Sequence, residues 1–329
     1  LAEKATFLVF LFATKSRKCY LNLINGSGTM IEVNIVGQLG NQMFEYACAR
    51  QLQKKYGGEI VLNTYEMRKE TPNFKLSILD YKLSENVKII SDKPLSSANA
   101  NNYLVKIMRQ YFPNWYFNFM AKRGTFVWKS ARKYKELPEL NEQLSKHIVL
   151  NGYWQCDKYF NDVVDTIRED FTPKYPLKAE NEQLLEKIKS TESVCVTIRR
   201  GDFMNEKNKD TFYICDDDYF NKALSKIKEL CPDCTFFGFS DDVEWIKKNV
   251  NFPGEVYFES GNDPVWEKLR LMSACKHFVL SNSSFSWWAQ YLSDNNNKIV
   301  VAPDIWYKTG DPKKTALYQD GWNLIHIGD

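Results

Sequence analysis

The sequence predicts an α/β protein built from two Rossmann-like units, and three observations carry that expectation. Strand-like runs alternate with helical segments along most of the chain, the pattern of parallel sheets covered by helices. A glycine-rich turn, Gly37-Gln38-Leu39-Gly40-Asn41-Gln42, joins the first convincing strand to a helix. Polar clusters recur at the ends of successive strands in the C-terminal half, where open parallel sheets bind their ligands. With 329 residues, 44% apolar and 15% aromatic, the chain has the length and the apolar content for two domains.

The elements follow in order. Ile31 to Val36 reads as a strand of β-branched and apolar residues. Phe44, Ala47, Cys48 and Leu52 recur at helical spacing, and Gly57-Gly58 stops that helix before a strand over Glu59 to Asn63. Tyr103 to Tyr134 is dense in aromatic and basic residues. It reads as a pair of amphipathic helices whose aromatics face the core, the alternative being a membrane-surface or acceptor-binding element. Val149 to Trp154 is the next candidate strand, and Thr172-Pro173 and Tyr175-Pro176 punctuate a linker. Further strands are expected over Val194 to Ile198, Thr235 to Phe239, Val256 to Phe258, Phe278 to Leu280 and Ile299 to Ala302. The helices between them carry start signals: Asp217 or Asp218 before Tyr219, Asp241 with Glu244 in capping-box spacing, and Asp263 before Pro264. The domains are then 30–175 and 176–329. Residues 1–29 read as a leader, cloning remnant or upstream read-through.

Composition excludes several functions. Lys+Arg exceeds Asp+Glu only by 44 to 41, which gives no case for nucleic acid. The apolar run Phe7 to Ala13 is too short to span a bilayer, and no later stretch qualifies. The protein is expected in the cytoplasm, free or peripheral at the inner membrane face. Eight scattered cysteines do not make a disulfide framework in a chain of this size. The lone Cys231-Pro232-Asp233-Cys234 has no second CxxC, and no histidine lies at ligand spacing, so it reads as a helix-to-strand turn. Asp216-Asp217-Asp218 precedes a helix and reads as capping carboxylates rather than a metal site.

The strand ends suggest the ligand. Arg199, Arg200 and Asp202 follow one strand, Ser240, Asp241 and Asp242 the next, Glu259 and Ser260 the third, and Ser281-Asn282-Ser283-Ser284 the fourth. Arginine forks match phosphate oxygens, and a helix starting at Ser284 or Phe285 offers free N–H groups to an anion. Carboxylates at Asp241, Asp242 or Glu267 suit a guanine edge or a ribose. Gly40 and its neighbours allow close backbone approach from the first domain. A nucleoside diphosphate held between two domains fits these residues. The chain has no Walker A lysine pattern and lacks the full GxGxxG spacing.

Four blocks, in order, resemble the α-1,2-fucosyltransferases of glycosyltransferase family 11. They are Gly37 to Phe44, Gly152-Tyr153-Trp154-Gln155 with Lys158-Tyr159-Phe160, Val196 to Asp202, and Leu271 through Ser281-Asn282-Ser283-Ser284 to Trp288. The resemblance implies a GT-B type fold, two Rossmann-like domains facing across a cleft, with 30–175 on the acceptor side and 176–329 holding GDP-L-fucose. It implies inverting transfer to the 2-hydroxyl of a terminal β-galactoside, with no obligatory metal or other cofactor. Arg199 would bind the β-phosphate and stabilise departing GDP, and Arg200 would pair with a carboxylate. Ser283 and Ser284 would line the diphosphate, and Asn41 and Gln42 would face the fucose or the acceptor. Asp202 is the candidate base. Thr197 stands where the family usually has histidine, and Lys268 where relatives commonly have aspartate, with Glu267 beside it as the substitute. The alternatives are a transferase for another sugar nucleotide, or a non-catalytic carbohydrate-binding protein using Trp154, Trp287 and Trp288 as platforms.

Overall fold

The computed structural model describes residues 28–95, 107–108, 111–112, 115, 125–129, 133–137, 146–199, 215–308 and 315–327. The chain divides into two compact units, Leu1–Leu76 with Leu83–Asp170, and Ser77–Lys82 with Phe171–Asp329. The short excursion 77–82 belongs to the second unit because its backbone is tied there. Lys82 N donates to Thr172 O (3.0 Å), Lys174 N donates to Asp80 O (2.9 Å), and the Tyr81 ring meets Phe171 edge-on.

In the first unit the described elements are β1 (Met30–Asn34), α1 (Leu39–Tyr56), β2 (Glu59–Asn63), α2 (Tyr65–Glu70), β3 (Val87–Ile90), β4 (Thr125–Lys129), β5 (His147–Asn151) and α3 (Val164–Asp170). The strands form one parallel sheet in the order β3-β2-β1-β5-β4. β1 is buried along its whole length, as a central parallel strand covered on both faces must be. Two expectations change here. The strand foreseen over Val149 to Trp154 ends at Asn151, because Gly152 (φ 123°) and Trp154 (φ 52°) leave the extended region. Within Tyr103 to Tyr134, residues 125–129 form a strand rather than helix, since Thr-Phe-Val-Trp pairs in parallel register with β5.

The second unit holds α4 (Glu182–Ser190), β6 (Ser193–Ile198), α5 (Asp217–Leu230), β7 (Thr235–Ser240), α6 (Val243–Asn249), β8 (Val256–Phe258), α7 (Val265–Ser273), β9 (His277–Val279), α8 (Ser284–Leu292), β10 (Val300–Pro303) and β11 (Asn323–Ile325). Its parallel sheet runs β11-β10-β9-β6-β7-β8. Tyr219, Phe220, Ala223, Leu224 and Ile227 recur on one face of α5 and bury against Val194, Val196, Phe236, Val279 and Val301 of the strands. The expected pair of Rossmann-like α/β units is therefore present.

The helix starts shift by one residue from expectation. Asp216, not Asp217 or Asp218, caps α5, accepting from Tyr219 N at 2.9 Å. Asp242, not Asp241, caps α6, accepting from Trp245 N at 3.0 Å. Pro264 occupies the cap position of α7, so Asp263 is one residue too far out and instead pairs with Lys178 (2.8 Å) and Ser260 Oγ (3.1 Å). Among the described residues no helix is long and apolar enough to cross a membrane.

Candidate functional site

The sheet of the second unit reverses its strand order once, and open parallel sheets bind ligands outside the strand ends at such a reversal. In the second unit the reversal falls between β6 and β9. β6 delivers Arg199 there. β9 delivers Ser281-Asn282-Ser283 and the start of α8, whose first-turn N–H groups have no partner within the helix. Ser283 is the N-cap residue, yet its hydroxyl makes no capping bond, which leaves hydroxyl and amides available to an anion.

Arg199 is half-buried and its Nη1 stands 3.4 Å from Asp241 Oδ2. That is an ion-pair distance, long for a charge-assisted hydrogen bond. Asp241, at the end of β7, is thus a carboxylate neighbour of Arg199. Arg200 and Asp202 fall outside the described residues. Ser240 is buried. Its Oγ donates to Ile198 O and accepts from Asp242 N, both at 2.9 Å, so it locks the ends of β6 and β7 together. Asn282 is also buried and donates to Trp306 O at 3.0 Å, anchoring the β9–α8 turn. Thr197, at the family's histidine position, accepts from Ser281 N (3.1 Å) and donates to Val279 O (3.4 Å). Its hydroxyl holds the serine turn in place.

Glu267 is not at this rim. Fully buried, it accepts from Lys178 N (2.9 Å) and Asn181 Nδ2 (3.2 Å) and pairs with Arg270 (2.8 Å), so α7 is anchored to the segment before α4. Its neighbour Lys268 points elsewhere, as 3.6 residues per turn requires. Lys268 Nζ meets Glu259 Oε1 at 2.7 Å and the carbonyls of Ser240 and Gly261 at 3.3 Å. A buried ion pair thus braces the ends of β7 and β8.

In the first unit the strands advance in the same direction on both sides of a break in chain order, which lies between β1 and β5. The glycine-rich segment is half turn, half helix: Leu39, Gly40, Asn41 and Gln42 already form the first turn of α1. Gly37 has φ 75°, and a Cβ there would stand 2.3 Å from Asn41 Nδ2, so only glycine fits. Gly40 and Gln42 are buried. Gln42 Nε2 donates to Gly37 O (3.1 Å) and Lys75 O (3.4 Å), which shapes the turn from inside. Asn41 is half-exposed and accepts from Gln155 Nε2 at 3.0 Å, joining the two rims of the crevice.

Sequence reasoning gave no individual role here to Glu45, Asn34 or Tyr153, and took Trp154 for a possible sugar platform. Glu45 is buried under the turn with both carboxylate oxygens toward Val36 N (3.1 and 3.3 Å), and burial holds its carboxyl well above the ordinary range. An acid inside an otherwise apolar helix stripe was the signal available. Trp154 is buried with a left-handed backbone, a strain of about 1–3 kcal/mol. Among the described residues its Nε1 has no hydrogen-bond partner, nor has Asn34 Oδ1 at the end of β1. Tyr153, between the two irregular residues, is exposed, and partial burial followed by the nearby Glu45 and Glu70 carboxylates keep its phenol protonated above the ordinary range.

The three tryptophans proposed as sugar platforms are core residues. Trp154, Trp287 and Trp288 are all buried, and Trp287 Nε1 donates to Leu317 O at 2.7 Å. At the opposite end of the second sheet, Glu192, Cys231 and His277 bring potential ligand atoms within 4.8 Å of one another. The set does not fit a cation. His277 Nδ1 accepts from Ile299 N (3.0 Å), so Nε2 keeps the proton and points it at Glu192 (3.3 Å). Cys231 ends α5 and Cys234 precedes β7, as a helix-to-strand turn requires. Burial raises both thiols, Cys234 to about 11. Asp218 pairs with Lys222 along α5 at 2.5 Å.

The profile of glycosyl transferase family 11 matches residues 4–326. The chain belongs to that family. A family 11 relative, the alpha-1,2-colitosyltransferase of Escherichia coli, is 29% identical over 85% of this chain and 93% of its own length. The galactoside alpha-(1,2)-fucosyltransferase 2 of Bos taurus is 23% identical over 80% of this chain and 69% of its own length. Among solved structures, the alpha-1,6-fucosyltransferase NodZ co-crystallised with GDP aligns over 82% of this chain and 93% of its own, with a TM-score of 0.48 and 14% identity. In this family 11 glycosyltransferase the β6/β9 corner presents a cation, hydroxyls and a helix N-terminus, and the β1/β5 corner presents neutral amides.

Proposed function

We propose that this family 11 glycosyltransferase moves L-fucose from GDP-β-L-fucose to the 2-hydroxyl of a terminal β-galactoside, with inversion. The observation that carries the reading is Arg199 at the β6/β9 reversal beside the open N-terminus of α8. Both carry positive potential, which supports a donor whose diphosphate gains charge as the sugar leaves. In the displacement the bond from the anomeric carbon to the β-phosphate oxygen breaks and a bond to the acceptor oxygen forms. The acceptor proton passes to a base, for which Asp202 is the candidate, and the electron pair leaves with GDP. With arginine and amides meeting the diphosphate, the reaction needs no divalent metal. The 2-linkage is supported by the alpha-1,2 activities for which the bovine and E. coli relatives are named.

A colitosyl donor is the second reading, favoured by the 29% identical E. coli relative. The test is incubation with GDP-fucose or GDP-colitose and lactose, with and without EDTA, followed by linkage assignment of the product. Fucose on the galactose 2-hydroxyl, undiminished by EDTA, is the expected result. Transfer from GDP-colitose alone overturns the donor, another linkage overturns the acceptor position, and loss of all activity in EDTA overturns the metal-free mechanism.

A further inference from the structure

We propose that Tyr153 is the platform on which the acceptor sugar sits: its ring packs against the C–H face of the terminal β-galactoside at the carboxyl ends of β1 and β5. The inference rests on the galactoside reading above.

Three observations lead to it. The first is placement. β5 ends at Asn151, beside β1, and the next residues turn sharply at Gly152 (φ 123°) and Trp154 (φ 52°). The outcome is a pair of adjacent aromatics with opposite fates. Trp154 is 1% exposed and locked edge-on against Tyr159, while Tyr153 is 48% exposed. An irregular backbone of this kind persists where function requires it. Here it presents one large ring to solvent at the place where such sheets bind ligands.

The second is the chemistry around the ring. Asn151 and Gln155, which flank Tyr153 at two residues on either side, each pair with an amide of the β1 to α1 segment: Asn34 Nδ2 donates to Asn151 Oδ1 (3.1 Å) and Gln155 Nε2 to Asn41 Oδ1 (3.0 Å). These are neutral amides, each able to donate and accept, which suits sugar hydroxyls. The diphosphate-type chemistry of Arg199 lies in the other unit. An aromatic ring with a few convergent amides is the composition of a site for a neutral polyol.

The third is polar mismatch. Asn34 Oδ1 and Trp154 Nε1 are buried without partners among the described residues, and an unsatisfied buried group in a native protein calls for an explanation such as a bound ligand.

The experiment uses the full chain saturated with GDP. Lactose binding is measured by ligand-observed NMR, and acceptor and donor KM values by product formation, for wild type, Tyr153→Ala and Tyr153→Phe. GDP affinity by calorimetry monitors folding. Tyr153→Ala should weaken lactose binding and raise the acceptor KM roughly tenfold, the scale of a lost aromatic contact. Donor KM and GDP affinity should stay unchanged, and Tyr153→Phe should stay near wild type, because the ring and not the hydroxyl does the work. Unchanged lactose binding by Tyr153→Ala, with normal binding by wild type, overturns the inference alone. Weakened GDP binding in a folded Tyr153→Ala protein also overturns it, by assigning the ring to the nucleotide. Failure of wild type to bind or modify lactose overturns the galactoside reading, and this inference with it.

Discussion

Glu267 and Glu45 are both buried acids on helices, but their surroundings give them opposite roles. Glu267 has three donors, two of them on the segment before α4, and acts as an internal fastener. Glu267→Gln should cost about 1–3 kcal/mol of stability in urea unfolding and leave GDP affinity intact. A loss of GDP affinity without a loss of stability would return the residue to the nucleotide site. Glu45 has only the Val36 N–H, and burial raises its carboxyl well above its ordinary value of 4.5. The folded chain therefore holds this proton more tightly than the unfolded chain. Its contribution to stability is fully present below 4.5 and is lost as the pH rises through the raised folded value. Across that window the unfolding free energy of Glu45→Gln should gain on that of wild type. Parallel pH curves for the two proteins would refute the buried acid.

At the scale of elements, one residue of helix phase decides which carboxylate does what. Asp242 caps α6, which leaves Asp241 beside Arg199. Asp242→Ala should therefore cost about 1 kcal/mol in denaturant unfolding, a typical lost cap. Asp241→Ala should leave that stability near wild type and change activity instead. Equal stability losses in the two variants would remove the distinction. The same phase effect sends Lys268 to Glu259 and Glu267 to Arg270 from consecutive positions of α7. Thr197 shows that a family departure can be structural: its hydroxyl orders Ser281, from which the α8 N-terminus hangs.

At the scale of the whole molecule, each sheet brings together strand ends that are distant in sequence. The charged corner belongs to the second unit and the neutral corner to the first. Arg199→Ala should abolish most turnover, about 10²–10³-fold by analogy with losing one donor to a developing oxyanion, and weaken GDP binding in calorimetry. Asn41→Ala should lower turnover with GDP affinity unchanged. Near-normal turnover of Arg199→Ala would sink the phosphate assignment. Equal loss of GDP affinity in both variants would sink the division between units.

The sequence by itself determined the alternation of strands and helices, the family blocks, and the residues at the strand ends, because period, turn chemistry and motif order are local properties of the chain. Val194 to Ile198 and Ser284 were legible for that reason. Tertiary structure decided which strand ends become neighbours. Strand order brings Arg199 to the serine turn, and no local pattern encodes that pairing. It also decided which polar residues are consumed inside. Ser240, Asn282, Gln42 and Glu267 look like ligands in sequence, yet burial obliges each to find a partner within the protein. The left-handed Trp154, which turns Tyr153 outward, was likewise beyond local reasoning, since only packing around the indole can hold a non-glycine residue there.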